Sequence, residues 1–307
     1  MKKLAVMGIL LITLGVCLLY NSEIIEFVID NFVSNKKETS TLINNKYALN
    51  NNYDFVKITN NFAPNNKQDI LNIYYTVINS GMSNFTFYCP KTYKDCINDI
   101  DNISNNQELL STINNYAPVY NSFSNIQTDF DTLGKVEISI THSYTDKQIQ
   151  ELEAITKEVI NNNIASTMSK EEKIKAIHDY IINNTKYDRN RSDNKVKQYH
   201  SDTAYGALIE HYAICGGYAD SMKLFLDKLN IPNYKISSEN HIWNLVNIDN
   251  SWYHLDLTWD DPIKCDQETN TCEDILEYVY FLISTEELQS LESDQHIFDK
   301  SIYTEAK

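Results

Sequence analysis

The stretch Ala213-Ile214-Cys215-Gly216-Gly217-Tyr218-Ala219 constrains this chain of 307 residues most strongly, because it opens an amphipathic helix with a cysteine. Apolar residues then recur at helical spacing, at Tyr218, Ala219, Met222, Phe225, Leu226 and Leu229. This spacing predicts a helix with one face toward a core. Cys215 would lie in its first turn, where unpaired N–H groups and the helix dipole favour an anion such as a thiolate. A buried structural cysteine is the alternative that this stretch leaves open.

A stretch further along the chain predicts a β-hairpin that carries candidate partners for Cys215. Residues 241–248 and 251–256 are rich in β-formers, and Asp249-Asn250 between them suits a tight turn. Counting outward from that turn makes His241 and Asp256 diagonal neighbours on one face, roughly 7–8 Å apart at the backbone. A small shift of the turn centre would move Asp256 to the other face. His254 shares the predicted face and is an alternative base.

These residue types together suit nucleophilic catalysis. Cys215 would attack a carbonyl carbon, His241 would hold the proton or pair with the thiolate, and Asp256 would fix the imidazole tautomer. The backbone N–H of Cys215 is one candidate donor to an oxyanion, and Tyr205 is considered as a second donor. His178 is interpreted as a packing residue, because it lies beside the apolar face of a predicted helix.

The other cysteines fall into two short-range pairs. Six residues separate Cys89 from Cys96, and six separate Cys265 from Cys272. Such pairs favour disulfides in an oxidising compartment, with the crossed pairings left open. A zinc site is the alternative, but zinc ligand pairs usually have about 2–4 intervening residues. With Cys17 in an N-terminal apolar run, Cys215 is then the unpaired thiol.

The formal net charge of −16 argues against nucleic acid or an anionic membrane surface as the main partner. No cofactor is indicated. Asp260 and Asp261 could bind a cation, but the acidic segment 266–270 that follows lacks the glycine of a calcium loop. We therefore assign no metal site.

The N-terminus reads Met1-Lys2-Lys3 and continues as an uncharged apolar run from Leu4 to Tyr20. That run is at the short end for a spanning helix, about 17–25 residues. The two lysines should stay cytoplasmic and place the rest of the chain outside. We expect an uncleaved signal-anchor in the cell membrane; a cleaved signal peptide and a secreted chain are the alternative.

The rest of the chain divides into three predicted parts. Residues 21–52 read as a polar stalk, residues 53–143 as an accessory α/β region and residues 144–307 as the catalytic domain. In the accessory region we expect helices over 67–81 and 107–113 and strands over 85–88 and 135–140. Capping boxes at Thr145 and Ser169 predict two more helices. Residues 186–200 are predicted to be a loop, and 234–237 a strand.

Several ordered blocks resemble the transglutaminase-like superfamily, whose fold is related to papain-like cysteine proteases. The blocks are Ile177-His178-Asp179-Tyr180, Lys186-Tyr187-Asp188, Ala204-Tyr205-Gly206-Ala207-Leu208, Cys215-Gly216-Gly217-Tyr218-Ala219, His241-Ile242-Trp243-Asn244-Leu245-Val246 and the stretch from Trp252 to Pro262. They cover about half the chain, from Lys170 to His296. The resemblance implies an α+β fold, with the nucleophile helix packed on an antiparallel sheet, and a triad at Cys215, His241 and Asp256.

The resemblance also implies the kind of activity. Members form a thioester on cysteine and pass the acyl group to an amine or to water, whereas others have lost activity. We therefore expect an extracytoplasmic, membrane-anchored enzyme acting on amide bonds of a protein or peptide substrate. A cysteine peptidase of the same fold and a non-catalytic surface module for adhesion or assembly are the alternatives.

Overall fold

The computed structural model describes residues 38–265 and 272–306. The predicted signal-anchor with Cys17, the first part of the predicted stalk and the acidic segment 266–270 lie outside these residues. Within the described residues, no helix combines the length and the apolar character needed to cross a bilayer.

The first part of the described chain contains a three-stranded antiparallel sheet and three helices. In chain order the elements are α1 (Lys67–Ser80), β1 (Asn84–Tyr88), α2 (Cys96–Ser104), α3 (Gln107–Tyr116), β2 (Phe123–Phe130) and β3 (Lys135–His142). The strands lie in the order β1-β3-β2. The expected helices and strands of this region are confirmed, while α2 and β2 were not predicted. The Cys89–Cys96 disulfide is confirmed and ties the start of α2 to the end of β1.

Two capped helices follow, α4 (Asp146–Asn163) and α5 (Lys170–Asn184). Both predicted capping boxes are present, at Thr145 with Gln148 and at Ser169 with Glu172. In a capping box each side chain accepts from the other residue's backbone N–H, which satisfies donors that the helix itself leaves open.

The prediction of a loop over residues 186–200 is wrong for its first part. This segment holds the short strand β4 (Lys186–Tyr187) and the helix α6 (Arg189–Asn194). The side chain of Asp188 accepts from the backbone N–H of Arg191 at 3.0 Å, so an aspartate N-cap starts this short helix.

The remaining elements surround Cys215. They are a π-helix (Gly206–Glu210), β5 (Tyr212–Ala213), α7 (Cys215–Lys228), β6 (Asn233–Ser237), β7 (Ile242–Ile248), β8 (Ser251–Leu255), β9 (Ile263–Cys265), β10 (Cys272–Asp274), β11 (Phe281–Ile283), α8 (Thr285–Ser290) and a 3₁₀ turn (Asp294–His296). Strands β6, β7, β8 and β11 form an antiparallel sheet in the order β11-β8-β7-β6, and α7 packs on β6 and β7. In the β9–β10 pair, positions 265 and 272 lie opposite each other; their side chains lie outside the described residues.

Both faces of the four-stranded sheet are covered. On one face Trp243 and Leu245 join the core built with α1–α3 and the first sheet, whereas Val246 and Leu255 join the core built with α5 and α7. Alternate residues of a strand point to opposite faces, so this division follows from the strand period. The hairpin that carries His241 is therefore held between two cores.

Candidate active site

Cys215 is the first residue of α7, as the sequence predicts. The preceding residue, Ile214, has an extended backbone, and its side chain makes no capping hydrogen bond. The N–H groups of Gly217 and Tyr218 donate to the carbonyl of Ile214, at 2.9 Å and 3.2 Å, whereas those of Cys215 and Gly216 precede the first intrahelical hydrogen bond. Cys215 itself is half-buried and is the free cysteine among the described residues. Its position leaves the thiol reachable and the adjacent N–H groups available to an anion.

The two glycines after Cys215 allow α7 to start against the backbone of residues 201–203. A Cβ atom on Gly217 would lie 2.4 Å from the carbonyl oxygen of Ser201, and one on Gly216 would lie 2.9 Å from that of Asp202. The N–H of Ile214 donates to the Ser201 carbonyl at 2.8 Å. Glycine is therefore required sterically where the helix and this segment meet.

The β7–β8 hairpin has the predicted turn and register. Asp249 and Asn250 both adopt positive φ angles, 51° and 71°, as a tight hairpin turn requires. Pairing runs from Ile248 opposite Ser251 to Asn244 opposite Leu255, so Asp256 comes directly after β8.

The predicted neighbour relation between His241 and Asp256 is confirmed. Nε2 of His241 lies 2.5 Å from Oδ2 of Asp256, and both side chains are buried. The register that places both residues on one face therefore also brings imidazole and carboxylate into contact.

The carboxylate of Asp256 is fixed on both of its oxygens. Oδ1 accepts from the backbone N–H groups of Thr258, at 2.9 Å, and Trp259, at 3.4 Å. Burial alone would raise the pKa of Asp256, but the charge and hydrogen bond of His241 and the hydrogen bond of His296 hold it below its usual range. Asp256 is therefore ionised at neutral pH.

His241 connects Asp256 with Cys215. Burial lowers the pKa of His241, but the charge and hydrogen bond of Asp256, followed by those of Cys215, raise it to about 10. Because Nε2 contacts Asp256, Nδ1 is the ring nitrogen left to face the thiol. A protonated imidazole between a carboxylate and a thiol favours the thiolate.

His254, the alternative base, is used elsewhere. Its Nδ1 accepts from Nε1 of Trp243 at 2.9 Å, and its Nε2 contacts Oγ1 of Thr285 at 3.0 Å. Burial and the nearby His296 lower the pKa of His254 to about 3. Its ring is neutral at physiological pH, and both nitrogens are occupied by these neighbours.

A residue that the sequence analysis missed, His296, also contacts the carboxylate. It ends the 3₁₀ turn, and its Nε2 lies 2.8 Å from Oδ2 of Asp256. Two imidazole rings therefore share one carboxylate oxygen. No pattern in the sequence around residue 296 indicates this contact, because it depends on how the segment after α8 folds back.

Other residues singled out from the sequence have structural surroundings. The hydroxyl of Tyr205 donates to Glu151 at 2.6 Å, so it does not serve as the second oxyanion donor. His178 is fully buried, with Nδ1 3.0 Å from Asp179 and Nε2 3.2 Å from Asp260. This confirms its interpretation as a packing residue.

The two acidic residues considered for a cation have protein partners. Oδ1 of Asp260 accepts from the backbone N–H of Tyr280 at 2.8 Å, while its other oxygen contacts His178. Asp261 accepts a hydrogen bond from the hydroxyl of Tyr218.

One group of described side chains has the composition of a metal site. Ligand atoms of His241, Asp256 and His296 all lie within 4.8 Å of one another. Metal ligation needs unprotonated ring nitrogens, and the raised pKa of His241 opposes that state. The two hydrogen bonds to Asp256 account for the cluster without an ion.

A known protein family matches the part of the chain that holds Cys215, His241 and Asp256. Residues 157–257 match the family described as the transglutaminase-like superfamily. This segment belongs to the transglutaminase-like superfamily. It contains Cys215, His241 and Asp256, whereas His296 lies beyond its end. The mixed α/β fold around the site is accordingly a transglutaminase-like fold, and members of the superfamily are usually cysteine enzymes.

Two solved structures are similar to parts of this chain. A crystal structure of a TGase shares 16% identity over 45% of this chain and 44% of its own, with a TM-score of 0.33. A protein from Cytophaga hutchinsonii, provisionally described as a cysteine protease, shares 14% identity over 50% of this chain and 65% of its own, with a TM-score of 0.27. The chain thus covers less than two thirds of either protein. No curated protein matches it.

Proposed function

We propose that this chain is a cysteine enzyme that acts on amide bonds of proteins or peptides through a thioester at Cys215. The observation that carries the proposal is the chain of contacts from the thiol at the first turn of α7, through His241, to Asp256. These residues supply a nucleophile, a proton carrier and an orienting carboxylate, which is the set that acyl transfer through cysteine needs.

The reaction follows from these positions. The Sγ atom of Cys215 forms a bond to the carbonyl carbon, and the carbonyl oxygen becomes an oxyanion near the N–H groups at the start of α7. The C–N bond then breaks as His241 gives its proton to the leaving nitrogen. An amine or water attacks the thioester and gives a proton to His241, and the C–S bond breaks to release the Cys215 thiolate beside the protonated imidazole. An amine acceptor gives cross-linking, and water gives deamidation or peptide hydrolysis.

We also propose that the enzyme is anchored in the cell membrane with its catalytic part extracytoplasmic. The apolar run from Leu4 to Tyr20 behind two lysines supports the anchor. The Cys89–Cys96 disulfide supports an oxidising compartment outside the cytoplasm. Sequencing the mature N-terminus and fractionating cells tests this; a mature chain beginning near Leu18, or one in the cytosol, would contradict it.

The activity is tested with the full chain, a glutamine-containing peptide and hydroxylamine. Hydroxamate that forms with the wild type and is absent with Cys215→Ala shows acyl transfer to an amine. Ammonia release without hydroxylamine shows deamidation, and a shorter peptide shows proteolysis. Asp249→Asn, in the exposed hairpin turn, is the control variant and should keep the wild-type rate.

The alternative of a non-catalytic surface module predicts none of these products. If neither hydroxamate, ammonia nor cleavage is found over a range of peptides, and Cys215 resists iodoacetamide at neutral pH, the enzyme proposal fails.

A further inference from the structure

His296 contacts Asp256, but the proposed reaction gives His296 no role. We infer that His296 is a positioning residue, which holds the Asp256 carboxylate in the orientation that orders His241 beside Cys215. This inference rests on the proposed function, since it concerns how that same site is kept ready. It also extends the site beyond the family segment, which ends at residue 257.

The position of Asp256 explains why a second contact is needed. Asp256 follows the last paired residue of β8, so the strand ladder does not fix it from both sides. Its backbone N–H donates to the carbonyl of Tyr280 at 3.2 Å, and Oδ1 is held by backbone N–H groups. Oδ2 receives His241 at 2.5 Å and His296 at 2.8 Å. Without His296, His241 would be the only one of these side chains in contact with Oδ2 of Asp256. The carboxylate would then have no fixed side chain to hold the oxygen that orders His241.

An aromatic enclosure fixes the ring of His296. Tyr280 stacks on it, with centroids 4.9 Å apart at an interplanar angle of 21°. Trp243 and Trp259 meet it edge-on, with centroid distances of 4.9 Å and 5.4 Å. A ring enclosed on three sides has few alternative rotamers, so it can define the place of the carboxylate that it contacts.

The hydrogen bond also fixes the tautomer of His296. A carboxylate only accepts, so the shared proton must be on Nε2. Nδ1 is buried and has no hydrogen-bond partner among the residues that the structure describes. A lone pair on Nδ1 costs less free energy than an N–H group there, because a buried donor without a partner loses its hydration and gains no hydrogen bond. His296 therefore acts as a fixed donor, and His241 remains the ring that exchanges protons with the substrate.

The titratable groups around this cluster come from several elements. Tyr280 and Asp260 act on Asp256 electrostatically, and Lys300 acts on His254. All three groups are still present when His296 is replaced. A change in the pH dependence of such a variant can thus be assigned to the loss of the hydrogen bond between His296 and Asp256.

The test measures alkylation of Cys215 by iodoacetamide against pH, which needs no substrate, with the full chain in detergent and EDTA. His296→Phe keeps a ring but removes the donor, whereas His296→Gln keeps an N–H group. We expect the ratio of the rate at pH 6 to that at pH 9 to fall about tenfold in H296F and to stay near wild type in H296Q. An alkylation rate that falls at pH 6 but not at pH 9 is the sign that the His241 imidazolium is no longer held beside Cys215. Ile297→Ala, an exposed neighbour on the same cavity, is the control.

A second variant uses the cavity beside His296. This cavity has a volume of about 400 Å³ and is lined by His296, Phe298 and Lys300 among others. In His296→Ala, added imidazole should enter the space left by the side chain and restore the rate ratio. N-methylimidazole in its neutral form has no N–H group that could donate to Asp256. It should therefore restore the rate ratio less.

The failure of the inference differs from failure of the proposed function. If wild-type alkylation already falls steeply between pH 9 and pH 6, the activated thiol itself is refuted. If the wild type keeps its rate and H296F keeps the same ratio, only the role of His296 is refuted. Should neither H296F nor H296A fold, ¹⁵N NMR of wild type decides: a proton on Nε2 of His296 whose shift moves in Asp256→Asn supports the contact, and a proton on Nδ1 alone overturns it.

Discussion

Nε2 of His241 lies 2.5 Å from Oδ2 of Asp256, although the whole β7–β8 hairpin separates the two residues along the chain. The contact is possible because the turn at Asp249 and Asn250 sets a register in which both residues share one face. It gives His241 a pKa of about 10 and keeps Asp256 ionised. The predictions below follow from this pair and from the helix start that faces it.

Replacing Asp256 with asparagine should reduce acyl transfer by about a hundredfold or more, because an amide neither fixes the tautomer of His241 nor stabilises its charge. The rate of hydroxamate formation measures this. Asp249→Asn is a matched control in the same hairpin, where the residue is exposed and pairs with Lys170. Equal rates for both variants would contradict the role given to Asp256.

Replacing His254 with asparagine should lower stability without changing the pH dependence of Cys215 alkylation. His254 is neutral, and its hydrogen bonds with Trp243 and Thr285 are buried. The loss should be about 1–3 kcal/mol in the free energy of unfolding, measured in urea. A folded H254N protein that loses its reactivity at low pH would instead make His254 the base.

Replacing Gly217 with alanine should destabilise the chain by about 1–3 kcal/mol, since the added methyl group would meet the Ser201 carbonyl. Gly216→Ala has a longer closest approach and should cost less. Urea unfolding of the two variants checks the order. A G217A protein as stable as wild type would show that the helix start is less tightly packed than described.

The stability contributed by His241 should decline at alkaline pH. Its pKa is raised from 6.5 to about 10 on folding, so the folded chain binds the extra proton more tightly. The contribution is complete below about pH 6.5 and is lost as the pH rises to about 10. The difference in free energy of unfolding between wild type and His241→Gln should shrink over that window. A constant difference would contradict the raised pKa.

The parts of the fold that follow from local sequence signals were predictable. The hairpin register could be counted because Asp249-Asn250 marks the turn and the strands alternate. The capped helices could be placed because Thr145 and Ser169 each have their acidic or amide partner three residues on. In these cases the chain within a few residues determines the structure.

The contacts that depend on distant packing were not predictable in the same way. His296 reaches Asp256 only because α8 and the following turn return to the sheet, and nothing near residue 296 marks that path. Helix α6 was missed because its only signal is the Asp188 cap within a polar stretch. Strand β2 has an irregular burial pattern, so alternation gives no clear signal for it.

The central claim, that Cys215 is an activated nucleophile paired with His241, is tested most directly by the rate of its alkylation between pH 8 and pH 6. We predict that the wild-type rate changes less than about threefold, because the imidazolium stabilises the thiolate, and that His241→Gln removes this protection. An ordinary thiol, titrating near 8.5, slows roughly 75-fold over the same range. A wild-type rate that falls in that way would contradict the account.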